Sequence, residues 1–131
     1  MSTTKQSKPV LRGAMTALVT PFDDSGALDL AALERMARWQ VERGIHGLVP
    51  CGTTGEGATL DDEEKSRVVS TVVAAAEGRV PVVAGVGSNS TRATLVAARG
   101  AAAAGADALL VVSPYYNKPN RSGMIAHYEA V

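Results

Sequence analysis

Apolar and polar positions follow two different spacings along this chain. Nearly continuous apolar runs are typical of strands buried on both faces, whereas apolar residues three or four positions apart predict a helix with one buried face. Four such runs occur, at 14–20, 45–50, 80–84 and 108–112. A segment of helical spacing or composition follows each run, and the predicted helices begin at Asp29, Asp61, Thr91 and Ser122. The pattern predicts strand and helix in strict alternation.

The first two predicted helices each have one apolar face. In the first helix, which ends at Gly44, this face comprises Leu30, Leu33, Met36, Ala37 and Val41. In the second, which ends at Gly78, it comprises Val68, Val69, Val72, Val73 and Ala76. The second helix also begins with the acidic run Asp62-Glu63-Glu64, where the helix dipole favours negative charge. We interpret that run as a capping feature and not as a metal site.

The direction of the strands predicts where the loops lie. Strands of this kind form parallel sheets covered by helices, and right-handed crossovers then place the loops after all strands at one end. These loops contain Pro21-Phe22, Thr53-Thr54, Ser88-Asn89 and Tyr115-Tyr116. Helix capping could explain each loop separately. It does not explain why hydroxyls and tyrosines gather at a single rim.

The loop Cys51–Gly57 has the composition of a binding loop. It contains three glycines, which let a ligand approach the main-chain N–H groups, and two adjacent threonines, which add hydroxyl donors. Such a loop suits a small carboxylate or phosphate near the positive end of the following helix. A plain glycine-rich connection in which threonine caps the helix fits the spacing equally well.

Composition limits the classes of function. The chain has 131 residues, is 46% hydrophobic and carries no net charge, which predicts one soluble domain and gives no case for nucleic acid or membranes. With no apolar run long enough to span a bilayer and no signal peptide, we expect a cytoplasmic protein. The single Cys51 excludes an internal disulfide, and the two histidines form no metal-ligand pattern. Residues 1–12 are expected to form a flexible polar arm, and 13–131 the folded part.

Four motifs then occur in order from Gly13 onwards. They are Ala17-Leu18-Val19-Thr20-Pro21-Phe22, Gly47-Leu48-Val49-Pro50-Cys51-Gly52-Thr53-Thr54-Gly55-Glu56, Pro81-Val82-Val83-Ala84-Gly85 and Pro114-Tyr115-Tyr116-Asn117-Lys118-Pro119. Together they resemble the class I, Schiff-base-forming pyruvate aldolases of the dihydrodipicolinate synthase and N-acetylneuraminate lyase superfamily. The Thr53-Thr54 pair and the tyrosine loop look more like the dihydrodipicolinate synthase branch than the sialic acid lyases, where serine commonly takes the first position.

The resemblance implies an α/β fold, the (β/α)₈ TIM barrel, of which residues 13–131 would form the N-terminal half with about the first four βα units. It implies a lyase in which a lysine forms an imine with pyruvate. The enamine derived from this imine attacks L-aspartate-4-semialdehyde on the way to lysine and diaminopimelate. It further implies a homo-oligomer, either a dimer or a tetramer, with no metal and no other cofactor.

The resemblance also assigns roles to individual residues. It implies that Thr53 is a catalytic hydroxyl in a proton relay and that Tyr116 is a relay tyrosine reaching the neighbouring subunit's site. Thr54 and Gly55 would bind the pyruvate carboxylate. A hydroxyl chain shuttles protons only within hydrogen-bond reach, and glycine-loop amides suit a carboxylate, so both roles are chemically reasonable.

Sensitivity to lysine is expected to be weak. Asn89 and Tyr115 match positions that line the allosteric pocket of lysine-inhibited members of the family. Lys65 and Ala93 stand where those members carry a histidine and a glutamate. The resemblance therefore implies weak or absent inhibition by lysine.

The chain falls short of a complete barrel, which typically needs about 250 residues. A second relay tyrosine and the Schiff-base lysine are expected beyond Val131. None of the lysines present has the buried surroundings that a nucleophilic amine requires; they are Lys5, Lys8, Lys65 and Lys118. Because the sequence stops inside a predicted helix, we expect it to be a truncated part of a working enzyme. The 131 residues alone are then expected to be inactive. A genuine short half barrel that pairs its open edges with another copy is the alternative.

Other functions stay open at this point. The chain could belong to a different pyruvate-dependent aldolase of the superfamily. It could also be a non-catalytic half-barrel module that binds a carboxylate or a partner through the Thr53-Thr54 loop. A nucleophilic role for Cys51 is a third possibility, although a small buried thiol is the favoured interpretation.

Overall fold

The computed structural model describes residues 10–131. The predicted flexible arm at 1–12 therefore lies mostly outside the described residues. Of its last three residues, Val10 and Leu11 are exposed, and all three lack regular secondary structure.

Strands and helices alternate as predicted. The strands are β1 (Met15–Ala17), β2 (Gly47–Val49), β3 (Val83–Gly85) and β4 (Ala108–Leu110). The helices are α1 (Leu30–Glu42), α2 (Asp62–Ala76), α3 (Thr91–Ala103) and α4 (Arg121–Ala130). Each strand is shorter than the apolar run that predicted it, because the hydrogen-bonded ladder occupies only part of each run.

Local capping explains where the helices begin. The carboxylate of Asp29 accepts a hydrogen bond from the Ala32 N–H at 2.8 Å. Asp61 and Glu64 form a reciprocal capping box, which confirms the capping interpretation of the acidic run. The predicted start of the fourth helix at Ser122 is wrong by a small margin. Helix α4 begins at Arg121, because the side chain of Asn120 caps it by accepting from the Gly123 N–H at 2.9 Å.

The sheet is parallel and follows chain order. β1 pairs with β2, and β3 pairs with β4, both in parallel. A parallel bridge between Leu48 and Val82 and a hydrogen bond from the Gly85 N–H to the Pro50 carbonyl at 2.9 Å join the two pairs. The four βα units thus lie side by side, as in the first part of a (β/α)₈ barrel.

The core lies between the central strands and helices α1 to α3. Leu33, Ala37 and Val41 of α1 are buried, and so are Val68, Val69, Val72, Ala75 and Ala76 of α2. The predicted apolar faces are therefore confirmed in the main, with Ala75 replacing the half-buried Val73. Leu48 and Ala84, on the central strands, have no exposed surface.

Burial of every strand on both faces is a prediction that the structure contradicts. β2 and β3 are largely buried, but the outer strands β1 and β4 are not. Leu110 of β4 is 49% exposed, and Val112 just beyond it is 48% exposed. The reason is that β1 and β4 stand at the two sides of the sheet, where each has a strand neighbour on one side only within residues 10–131.

Contacts between the loops confirm that they share one rim. The Thr20 hydroxyl, after β1, bonds to the loop after β2. The side-chain amide of Asn117, after β4, donates to the Asn89 carbonyl, after β3, at 3.0 Å. The Gly85 N–H completes the series by bonding to Pro50 at the end of β2.

Candidate functional site

The loop after β2 folds into a compact series of turns. The N–H groups of Gly55 and Gly57 both donate to the Gly52 carbonyl at 3.1 Å. Cys51 and Glu56 adopt left-handed backbone conformations, with φ of 58° and 56°. Non-glycine residues rarely adopt this conformation, so the surrounding contacts must hold the loop in its shape.

Two glycines allow the start of this loop to pass close to its neighbours. A Cβ at Gly85 would lie 2.3 Å from the Cys51 carbonyl oxygen, and one at Gly57 would lie 2.1 Å from the same atom. No side chain fits at either distance. The Cys51 carbonyl is therefore held between the end of β3 and the far side of its own loop, and this requires glycine at both positions.

A buried hydroxyl holds the loop from below. The Thr20 side chain, 6% exposed, donates a hydrogen bond to the Gly55 carbonyl at 2.7 Å. Sequence reasoning placed Thr20 in a family motif but gave it no role. The available signal was a hydroxyl residue at the end of the mainly apolar run 14–20, directly before a proline.

A cavity of about 340 Å³ opens above these strands. Thr53 and Tyr115 line it together with the ends of β3 and β4; the other lining residues are Cys51, Gly52, Glu56, Gly57, Ala58, Thr59, Gly85, Gly87, Leu110 and Val112. Loops from three different βα units thus converge on one space.

The outer side of the loop presents hydrogen-bond donors. Thr53 and Thr54 are exposed, and neither their hydroxyls nor their N–H groups donate to another residue within 10–131. Gly55 is buried beneath them and faces Thr20 instead. Free hydroxyl and amide donors above a fixed turn are suited to a carboxylate or another small anion.

Three of the residues singled out from the sequence lie around the cavity without lining it. Thr54 and Gly55 belong to the loop at its edge, and Asn89 lies after β3, bonded to Asn117. Tyr116 also lies away from the cavity: it is 91% exposed and has a φ of 66°. The structure thus joins Thr53 and Tyr115 at one cavity, while the Tyr116 ring points into solvent.

The structure contradicts one of the alternatives drawn from the sequence and disfavours another. Thr54 does not cap α2, because Asp61 fills that position and forms a capping box with Glu64. The Thr53-Thr54 loop therefore does not present the N-terminus of α2 to a ligand. Cys51 is 5% exposed, and burial raises the pKa of its thiol to about 11, which disfavours a nucleophilic role.

The lysines of the described residues lie elsewhere. Lys65 is half-buried on α2 and borders a separate cavity of about 100 Å³ between α2 and α3. Lys118 is exposed in the loop after β4. Neither lines the larger cavity, so no described lysine borders the space above the Thr53-Thr54 loop.

The part of the chain that the structure describes contains no group of three or more His, Cys, Asp and Glu side chains placed to hold a metal ion. Across residues 10–131, no helix has the length and apolar character needed to cross a bilayer.

The sequence matches the model of one protein family over residues 10–131, the dihydrodipicolinate synthetase family. A 4-hydroxy-tetrahydrodipicolinate synthase of Methylobacterium radiotolerans is 60% identical over 121 residues, which cover 92% of this chain and 40% of the relative. Another, from Bartonella quintana, is 52% identical over 122 residues and is covered to 42%. The chain thus spans about two fifths of the length of these curated relatives.

A solved structure agrees with the sequence comparison. The chloride-inhibited dihydrodipicolinate synthase of Acinetobacter baumannii, complexed with pyruvate, superimposes with a TM-score of 0.89 at 41% identity. The match covers 93% of this chain and 43% of the other. At this level of similarity the fold of the four βα units is that of the matching part of a known barrel enzyme.

Proposed function

Because this chain belongs to the dihydrodipicolinate synthetase family, we propose that it forms part of a lyase of lysine and diaminopimelate biosynthesis. The proposed reaction condenses pyruvate with L-aspartate-4-semialdehyde and requires no metal or other cofactor. The observation that carries the proposal is the free donors of the Thr53-Thr54 loop beside the cavity that Thr53 and Tyr115 line. The pyruvate complex of the Acinetobacter relative supports the same choice of substrate.

The proposed chemistry begins with a lysine outside these 131 residues. Its neutral amine attacks the ketone carbon of pyruvate, and loss of water gives an imine. Removal of a proton from the methyl carbon gives an enamine, whose carbon attacks the aldehyde carbon of the second substrate. The resulting alkoxide takes up a proton. The amino group of the product then attacks the imine carbon, which closes the ring and releases the lysine.

Within this scheme the described residues bind and relay protons. Thr54 holds the pyruvate carboxylate through its free N–H and hydroxyl donors. The backbone of Gly55 supports this binding turn from beneath, because its N–H already donates to the Gly52 carbonyl. Thr53 carries protons to and from the reacting atoms, because this residue lines the cavity and its hydroxyl can both donate and accept. Both threonines can act without rearrangement of the loop, since contacts on its buried side already fix its turns.

Tyr116 is proposed to act on a neighbouring subunit. Its ring is 91% exposed although its backbone has the unfavourable φ of 66°. A strained conformation without a hydrogen bond to any other residue of 10–131 fits a residue whose partner lies in another copy. We accordingly propose a homo-oligomer, a dimer or a tetramer, located in the cytoplasm.

Regulation by lysine is proposed to be weak. Asn89 and Tyr115 are residues suited to the allosteric pocket. However, Lys65 places a cation on α2, and Ala93 lacks the carboxylate that lysine-inhibited members of the family carry at this position. A cationic ligand such as lysine would lose its acidic partner and meet a like charge. Inhibition of the complete enzyme at micromolar lysine would overturn this part of the proposal.

Borohydride reduction in the presence of pyruvate tests the proposal. The complete enzyme that contains this segment should gain one reduced pyruvate adduct by intact mass, and peptide mapping should place it on a lysine outside residues 1–131. The 131-residue chain alone should gain none. An adduct on Lys65 or Lys118 would contradict the proposed division of roles. Absence of any adduct on the complete enzyme would favour a non-catalytic binding module.

The choice of aldehyde needs a separate assay. The complete enzyme, charged with pyruvate, should consume L-aspartate-4-semialdehyde faster than N-acetylmannosamine or other aldehydes. A preference for a different aldehyde would place the protein among the other pyruvate-dependent aldolases of the superfamily.

A further inference from the structure

Thr20 occupies an unusual position for a polar side chain. It ends the run at 14–20, just after β1, and its side chain is almost completely buried at 6% exposure. Its hydroxyl donates to the Gly55 carbonyl, 35 positions further along the chain, at 2.7 Å. A buried hydroxyl with a single well-formed bond to a distant loop is a fixed link between two elements.

The acceptor depends on this link. Gly55 is buried, and among residues 10–131 the Thr20 hydroxyl is the one hydrogen-bond partner recorded for its carbonyl. The space around Gly55 is also tight, since a Cβ there would lie 2.8 Å from the Leu18 carbonyl oxygen and 3.3 Å from the Thr20 hydroxyl. Without the hydroxyl, a buried carbonyl would stay unpaired, which favours opening of the loop.

We propose that Thr20 is a positioning residue for the carboxylate site, an inference that rests on the proposed function of the Thr53-Thr54 loop. The hydroxyl fixes the Gly55 carbonyl on the buried side of the loop. This leaves the donors of Thr53 and Thr54 on the opposite side, oriented before any ligand arrives. Thr20 itself does not touch the substrate, because it lies beneath the loop and does not line the cavity.

Amide hydrogen exchange on the 131-residue chain tests the link directly. The N–H groups of Gly55, Glu56 and Gly57 bond within the loop, so their exchange reports its opening. Thr20→Val removes the hydroxyl and keeps the shape of the side chain. It should speed exchange at these amides about tenfold, as expected for the loss of a buried hydrogen bond. Thr20→Ser keeps the hydroxyl and should stay close to the natural chain.

Thr94→Val provides a matched control. Thr94 is also buried, and its hydroxyl accepts from the Ser88 N–H and donates to the Ser90 carbonyl at the loop after β3. This variant should alter exchange around Ser88 and leave Gly55, Glu56 and Gly57 unchanged. A comparable increase at Gly55 in both valine variants, or no increase in Thr20→Val, would overturn the proposal. If Thr20→Val does not fold while Thr94→Val does, Thr20→Ser decides the question. Faster exchange at Gly55 in Thr20→Ser than in the natural chain would also overturn the proposal.

Titration with pyruvate separates this inference from the function on which it rests. Thr20→Val should bind pyruvate about tenfold more weakly than Thr20→Ser, with the difference confined to the resonances of the loop. If the natural chain does not respond to pyruvate at all, the proposed role of the loop fails. In that case the exchange data still decide whether Thr20 fixes the loop.

Discussion

The loops after β2 and β4 meet at the same cavity but are held in opposite ways. The β2 loop is fixed from its buried side by Thr20, Gly57 and Gly85, and its free donors lie on the outside. The β4 loop is largely exposed, contains two left-handed residues, Tyr116 and Lys118, and bonds to a neighbour through Asn117. The difference supports the proposal that the β2 loop is prepared within this chain, whereas the β4 loop completes its contacts with a neighbouring copy.

The largest expected effect comes from adding a side chain where the backbone of β3 passes closest to the β2 loop. Gly85→Ala would place a Cβ 2.3 Å from the Cys51 carbonyl oxygen, against backbone that cannot move aside without disturbing β3. We expect a loss of about 3 kcal/mol or more in the free energy of unfolding, measured with urea.

Gly100→Ala is the matched control for that substitution. Gly100 lies within α3, and apart from the adjoining backbone of that helix no atom of residues 10–131 lies within 4 Å of where its Cβ would stand. The variant should be more stable than the natural chain by about 0.5 to 1 kcal/mol, because alanine favours the helix. Equal effects of the two substitutions would show that the β2 loop is not fixed by close packing.

The next effect concerns the pH dependence of stability through Cys51. Burial raises the pKa of its thiol from the ordinary 9.0 to about 11, so the folded chain keeps a proton that the unfolded chain loses first. The contribution of the thiol to stability is therefore complete below pH 9 and is lost as the pH rises toward 11. We expect a loss of about 2 to 3 kcal/mol over this range.

Cys51→Ala isolates this effect from the titration of other groups. Urea unfolding of both chains between pH 8 and pH 11 should show a steeper decline for the natural chain, since the variant lacks the thiol. Parallel declines would mean that the base of the β2 loop is open to water.

A smaller effect is expected in the β4 loop, where glycine should stabilise the chain relative to alanine. Because Tyr116 has a φ of 66°, Tyr116→Gly should be more stable than Tyr116→Ala by about 1 kcal/mol. The backbone of Tyr115 is not left-handed, so Tyr115→Ala should be at least as stable as Tyr115→Gly. Thermal unfolding of the four variants checks this. The same order at both positions would remove the evidence for strain at Tyr116.

The smallest effect is expected at the link between the β3 and β4 loops. Asn117→Ala removes an exposed hydrogen bond of 3.0 Å to the Asn89 carbonyl and should cost about 0.5 kcal/mol. Urea unfolding gives this value. A loss as large as that of Gly85→Ala would mean that the β4 loop is also held firmly within the chain, and the contrast between the two loops would disappear.

Features of the fold that depend on local chemistry were predictable from the sequence. The starts of α1 and α2 follow from Asp29 and Asp61, whose side chains cap the adjacent turn. The exposure of Leu110 was not predictable, because an apolar run does not show what lies against it. The prediction of one rim for the loops succeeded because strand direction alone determines it.

For the candidate site, composition indicated the loop but not what holds it. The glycines and threonines of Cys51–Gly57 marked a place where donors are accessible. The bond from Thr20 to Gly55 joins residues 35 positions apart, which no local pattern encodes. Similarly, the left-handed backbone of Tyr116 has no sequence signal, since such positions usually carry glycine or asparagine.

The most direct test of the central claim, a carboxylate site formed in advance by the β2 loop, is a pyruvate titration of the ¹⁵N-labelled 131-residue chain followed by NMR. The amides of Thr53 and Thr54 should shift most, and those around Tyr116 should shift little. Methyl pyruvate, which lacks the carboxylate charge, should produce no such change. Shifts centred on another part of the chain, or equal shifts with the ester, would contradict the claim.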